Sequence, residues 1–157
     1  MLIAPDRLAL TQELTALLVD YWYDVDTNWG RTAPEFFAAD GVWVGDGQTF
    51  EGRDGVRKFY EWREQRGNRV VFHAVQNVRA DFAGGPDAAL CEWVLVLYGG
   101  DGTPPIEAGP PILIDYITER WKRTDEGWKI AHRSSKLLFR GGAMLQTPND
   151  LGTPTPR

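Results

Sequence analysis

Three features of the sequence predict an α+β fold in which helices lie over one face of a cone-shaped, curved antiparallel sheet. Apolar residues recur at helical spacing through the first half, whereas β-branched and aromatic runs take over from Arg69. The chain has 157 residues, which fits one domain with a real core. Helices first and strands afterwards would enclose a space between the two layers, a natural place for a pocket.

Residues 6–28 carry Leu10, Leu14, Leu17, Leu18, Tyr21, Trp22 and Val25 at intervals of three and four, the period of an amphipathic helix ended by Gly30. A short helix is expected over residues 33–38, after which GVWVGDGQTFEG reads as two short strands around a Gly-Asp-Gly turn. RDGVRKFYEWREQRG sets Val56, Phe59, Tyr60 and Arg63 on one helical stripe closed by Gly67. Four strands are expected in RVVFHAVQNVRADF, AALCEWVLVLY, ILIDYITERWKR and GWKIAHRSSKLLF. GGDGTPPIEAGPP is too rich in Gly and Pro for regular structure and is expected to form a mobile rim. TDEG reads as a four-residue hairpin loop. Direct pairing of its flanks would set Glu119 opposite His132 and Asp115 opposite Lys136, with Asp115 and Arg133 on opposite faces. Residues 1–140 are thus expected to form a single domain and residues 141–157 a loosely ordered, Pro- and Gly-rich tail.

Composition removes several function classes. With 17 basic against 22 acidic residues, a net charge of -5 and no basic run, nucleic acid is not an expected partner. No apolar run approaches the roughly 20 residues that span a bilayer, and MLIAPDRLAL lacks a secretory pattern, so a cytoplasmic protein without membrane contact is expected. The single cysteine, Cys91, excludes an internal disulfide and reads as a small buried hydrophobe. Two histidines and no Cys/His cluster give no expectation of a metal site. GDG, GG and GGDG lack the strand and helix context of a nucleotide loop and read as turns.

The stretch DYWYDVDTNWG sets Asp24 and Asp26 among four aromatic rings. Positions 18, 22 and 26 share a helical face, so Asp26 should look inward beside Leu18 and Trp22, whereas Asp20 and Asp24 read as solvated acids. Alternation places Val71, His73, Val75, Asn77 and Arg79 on one strand face. An imidazole among apolar groups can accept a proton near neutral pH, and a carboxylate partner would fix its tautomer and stabilise the imidazolium. A strand histidine can equally be a satisfied core group, and a helix-end Asp a cap. Of the aromatic residues, Trp22, Trp43, Tyr98 and Tyr116 lie nearest the predicted pocket elements; Arg133 would hold a substrate oxygen or form a rim salt bridge.

YWYDVDTNWGRTAPEFFAADGVW, TFEGRDGVRKFY, FHAVQNVRADF and YITERWKRTDEGWKIAHR, taken in order, resemble the SnoaL-like group of the nuclear transport factor 2-like superfamily over residues 8–140. Tyr21 and Asp26 match the Tyr and Asp of the family's first helix; His73 and Asn77 match its strand His and Asn; Trp128, Ile130 and Arg133 match its closing strand. The resemblance implies an Asp26–His73 acid–base pair needing no cofactor, with Tyr21 polarising a substrate oxygen, as in scytalone dehydratase and the bile-acid dehydratases. This chain departs from scytalone dehydratase in lacking a clear second pocket histidine, since His132 is expected to point toward Glu119. A homodimer formed through the outer sheet face is also implied.

The expected function is that of a lyase or isomerase, of dehydratase or retro-aldol type, acting on a small apolar, aromatic or polycyclic oxygenated molecule. A non-catalytic binding or assembly module is the alternative from another class. A third reading, epoxide-hydrolase-like, would converge Asp26, Arg133 and Asp115 on one water, which the expected hairpin register opposes.

Overall fold

The computed structural model describes residues 3–45 and 47–141. The expected tail therefore lies outside the described residues, apart from Gly141. Helix α1 (Pro5–Thr27) starts with Pro5 in its first turn, where a missing N–H costs nothing, and turns Leu10, Leu14, Leu18, Tyr21, Trp22 and Val25 into the core. It ends through Trp29 and Gly30, both at positive φ. Gly30 is required twice over, because a Cβ at this φ would also collide with the Tyr60 ring.

A single 3₁₀ turn (Ala33–Phe36) leads into β1 (Phe37–Gly45), so the helix expected over residues 33–38 yields its last two positions to a strand. β2 (Gln48–Glu51) returns against β1, and α2 (Gly52–Glu64) follows with Val56 and Tyr60 buried. Strands β3 (Arg69–Phe82), β4 (Ala88–Asp101), β5 (Leu113–Thr124) and β6 (Gly127–Arg140) complete a six-stranded, curved, unclosed sheet. Its order is β2-β1-β6-β5-β4-β3, antiparallel except for the parallel β1–β6 pair. The helices cover the concave face, and the core of Leu14, Leu18, Tyr21, Phe37, Trp93, Ile117, Trp121 and Ile130 lies between the layers. Cys91 is buried there, and burial pushes its thiol up, away from thiolate chemistry.

Two bulges decide which side chains face inward. The β5–β6 hairpin pairs Thr124 with Gly127, so its loop is two residues, Asp125 and Glu126, instead of the expected four. Register then shifts between the pairs Trp121–Ile130 and Arg120–His132, with Ala131 as the extra residue. Beyond it every side chain of β6 changes face. Glu119 lies opposite Arg133, not His132, and Asp115 opposite Leu137, not Lys136. In β3 a second shift sets Asn77 and Val78 against Trp93, with Asn77 at φ 53°. Alternation therefore fails at Asn77, and Val78 and Ala80 take over the inward positions.

Candidate active site

β3 is an outermost strand, so N–H groups along its free edge have no neighbouring strand. Helix α1 packs along it and delivers Asp26 from its last turn. Asp26 Oδ2 accepts the His73 backbone N–H at 2.9 Å, and Oδ1 lies 2.5 Å from His73 Nδ1. Both carboxylate oxygens are thus committed to one residue. Trp22 stacks on the imidazole with ring centroids 4.2 Å apart and planes 15° from parallel.

His73 is 8% exposed. Burial lowers its pKa to about 4 against the pull of the Asp26 hydrogen bond, and the charge of Arg63 acts in the same direction as burial. The ring is neutral at pH 7. With Nδ1–H donated to the carboxylate, Nε2 carries the lone pair of a ring that borders the cavity. The depressed pKa makes a stability prediction. Between pH 6.5 and 4 the unfolded chain binds a proton that the folded chain refuses, so acidification removes stability, in total about 3 kcal/mol for this group. Urea unfolding at pH 7 and pH 4.5 should show a smaller acid loss in His73→Gln than in the wild type.

The cavity that His73 borders lies between sheet and helices, about 130 Å³ in volume, walled by Trp22, Trp43, Phe59, Tyr60 and Leu95 among others. That volume is close to the ~150 Å³ that accepts one benzene ring. Arg133 lies at its floor, 1% exposed, with Nε donating to Glu119 Oε1 at 2.6 Å. Glu119 Oε2 accepts from Trp121 Nε1 at 2.7 Å. The two Nη groups of Arg133 have no hydrogen-bond partner among the described residues. The guanidinium instead lies among rings, 4.4 Å from the Tyr21 centroid and 5.2 Å from that of Phe37. Burial acts to lower the Arg133 pKa, but Glu119 and the neighbouring phenols outweigh it and hold the group cationic.

The structure brings together some of the expected site residues and separates others. Asp26, His73, Trp22, Trp43 and Arg133 meet at or beside the cavity. Tyr21 does not reach its wall: fully buried, it bonds through its hydroxyl to that of Tyr60, and Tyr60 is the phenol in the lining. Burial raises both phenol pKa values, so both stay protonated. Asn77 is exposed, turned outward by its bulge. Tyr98 and Tyr116 lie on the outer sheet face because they alternate with the inward Leu97, Asp115 and Ile117. Tyr98 is 41% exposed and pairs across the sheet with Phe72.

Asp115 was not expected in the same wall as Arg133, yet both border the cavity after the β6 bulge. His132, opposite Arg120, does not meet Glu119. Asp24 is buried, not solvated: its carboxylate accepts from Asn28 Nδ2 at 2.8 Å and from the backbone N–H groups of Thr32 and Ala33 at 2.9 and 2.8 Å. It caps the 3₁₀ turn and fixes the exit of α1, which answers for one of the two acids among the rings. The Phe59, Tyr60 and Arg63 stripe was the sequence signal for the lid of the cavity.

Among the described residues no group of three or more His, Cys, Asp or Glu is placed to hold a metal ion, and no helix is long and apolar enough to cross a membrane.

Comparison with known proteins places this geometry in a family. No curated protein matches the chain. Solved structures do: a provisionally assigned scytalone dehydratase from Novosphingobium aromaticivorans is similar with a TM-score of 0.77 at 19% identity, over 96% of this chain and 99% of that one. ActVI-ORFA from Streptomyces coelicolor is similar with a TM-score of 0.72 at 12% identity, over 83% and 98%. A Mycobacterium tuberculosis protein of unknown function is similar with a TM-score of 0.70 at 19% identity, over 85% and 76%. At such identities these likenesses carry the fold alone, which other neighbours name as cystatin-like and nuclear transport factor 2-like. The sequence profile of the SnoaL-like domain matches residues 6–134, most of the chain. The helix-covered curved sheet, together with that match, makes this chain a member of the SnoaL-like domain family.

Proposed function

We propose that the chain is an acid–base lyase or isomerase that works through its own side chains on a small oxygenated molecule with an apolar, single-ring body. The observation that supports this best is the two-point grip of Asp26 on His73, which holds a neutral imidazole at the border of a largely apolar cavity. His73 removes a proton from carbon or from a hydroxyl, and the imidazolium so formed is stabilised by the Asp26 carboxylate. Tyr60, in place of Tyr21, offers the phenol nearest the substrate, with the Tyr21 hydroxyl behind it as the other half of a short phenol pair. Loss of water, retro-aldol cleavage and a double-bond shift all use these groups. The cavity volume favours one ring over the polycyclic class. A screen of single-ring oxygenated compounds for deuterium exchange and elimination, run beside His73→Gln, tests the reading.

Hydrolysis keeps one supporting observation, the shared cavity wall of Asp115 and Arg133. Against it, both Asp26 oxygens are engaged by His73. The buried Asp26–His73 pair beside the cavity favours the enzyme reading over a non-catalytic binding module.

A homodimer formed through the outer sheet face belongs to the same proposal. Phe72, Tyr98 and Phe139 are 59%, 41% and 65% exposed there, and Ile114 pairs with Phe139 beside them. Such an apolar face is costly to leave in water. Sedimentation should give a dimer in the wild type and a monomer in Phe72→Asp; a monomeric wild type overturns the expectation.

A further inference from the structure

His73 reaches the cavity from β3, at one edge of the sheet; the strands toward the other edge, β1, β2 and β6, supply Trp43, Gly45, Gln48 and Ser135 to the same wall. Trp43 pairs with Arg133 in the parallel β1–β6 register, so Gly45 and Ser135, each two residues further on, share that inward face beside one another. The inward turn of Ser135 is a second result of the extra residue at Ala131. Gln48 stands opposite Gly45 across the β1–β2 turn. A Cβ at Gly45 would lie 3.3 Å from Trp43 Nε1 and 3.3 Å from Ser135 Oγ, so an indole N–H and a hydroxyl flank the space that the missing side chain leaves.

These polar groups find no partner among the described residues. Trp43 Nε1 is buried and has no acceptor. Its ring is held by Phe50 and Phe59, at centroid distances of 5.1 and 5.0 Å, so it is not free to turn toward one. Ser134 gives its hydroxyl to the Thr118 carbonyl at 3.4 Å, but Ser135 and Gln48 make no side-chain hydrogen bond among the described residues. Trp93 and Trp128 also have indoles without acceptors, yet neither borders the cavity, and Trp22, which does, is stacked on His73. Position 45 carries a second signal. Its φ is not positive, so the backbone does not call for glycine there, and a strand glycine without that need marks a place where another group comes close. Buried polar groups left open in this way are costly unless a ligand completes them.

We propose that this corner is a subsite for an uncharged ring hydroxyl, and that the substrate is a phenol whose oxygen accepts from Trp43 Nε1 and donates to Ser135 Oγ, with Gln48 beside them. This rests on the reading of the cavity as the substrate site. A hydroxyl both donates and accepts, as the corner requires, and its one oxygen fits a gap that a single methyl would close. Anchored there, the ring turns its opposite end toward His73, so Trp43, Gly45 and Ser135 would decide which carbon meets the base.

The test is a titration of the full chain with 4-methylphenol and 4-ethylphenol and with toluene and ethylbenzene, which differ from them only in the hydroxyl. Binding is followed by the NMR signals of the seven indole N–H groups, that of Trp43 being assigned with Trp43→Phe. A cavity without a polar anchor would favour the hydrocarbons, because a hydroxyl costs more to strip of water. The phenols should instead bind about fivefold or more tightly, and the Trp43 indole proton should move downfield with the phenols alone. Gly45→Ala, which fills the gap with one methyl, and Ser135→Ala, which removes the hydroxyl, should each erase the preference by weakening the phenols. Hydrocarbons that bind as well as the phenols, a Trp43 signal that moves alike with both, or a preference unchanged in both variants would each overturn the proposal while leaving the cavity as a ligand site. No binding of any of the four at millimolar concentration would overturn it together with the reading of the cavity. These readings need no turnover, so an unchanged rate in His73→Gln would count against the acid–base reading alone.

Discussion

His73→Ala should lower turnover by about 10²–10⁴-fold, the usual contribution of a positioned acid–base group, while the fold survives. Survival is expected because the ring sits at the cavity wall beside the edge strand, and the Asp26 contact to the position 73 backbone N–H does not depend on the side chain. His73→Gln guards against a packing artefact by keeping a polar side chain near Asp26. The measured quantities are solvent deuterium exchange and product formation with whichever single-ring compound the screen identifies, together with circular dichroism of each variant. An unchanged rate in a folded variant removes His73 from the mechanism. Asp26→Asn supplies a second readout. Without the carboxylate, the His73 NMR titration should move lower still, since that hydrogen bond is the largest influence opposing burial. Equal titration in both proteins would mean that the two residues do not act as a pair.

The largest loss of stability is expected from Glu119→Ala, about 3–5 kcal/mol, because it strands the Arg133 guanidinium in the core without its counter-charge. For a domain of this length that corresponds to a fall in melting temperature of roughly 10–15 °C. Trp121 Nε1 would lose its acceptor as well. Replacing both partners, Glu119→Leu with Arg133→Met, should recover most of the loss, since apolar side chains of similar volume need no desolvated charge pair. Thermal denaturation of the two variants decides it. A mild single variant would mean that water reaches Arg133, and a double variant no better than Glu119→Ala would mean that the pair specifies packing as well as neutralising charge.

Periodicity made most of the architecture legible. The three-and-four spacing of Leu10, Leu14, Leu18, Tyr21 and Val25 defines the buried stripe of α1, and the β-branched runs define β3 to β6. The inward direction of Asp26 and of His73 could also be read, because each lies on a regular stretch whose apolar neighbours share its face. Asp24 could not: its role as a cap depends on Thr32 and Ala33 folding back onto it, and that return is a tertiary event.

The errors of facing come from strand irregularities. One extra residue at Ala131 turns Arg133 inward to Glu119 and into the cavity wall that Asp115 also borders, and another at Asn77 turns a matched family position out to solvent. A side-chain period of two is flipped by a single residue, so strand parity cannot be carried past a bulge. Asn77 held a faint signal, since asparagine tolerates the left-handed conformation better than most residues. Ala131 held none. The sequence by itself determined the layers, the helix stripes and the candidate base, because those follow from local repetition. Only the tertiary structure decided that Tyr60 replaces Tyr21 at the wall and that Arg133 is neutralised by Glu119. Those outcomes depend on register and on contacts between segments remote in sequence, which no local pattern encodes.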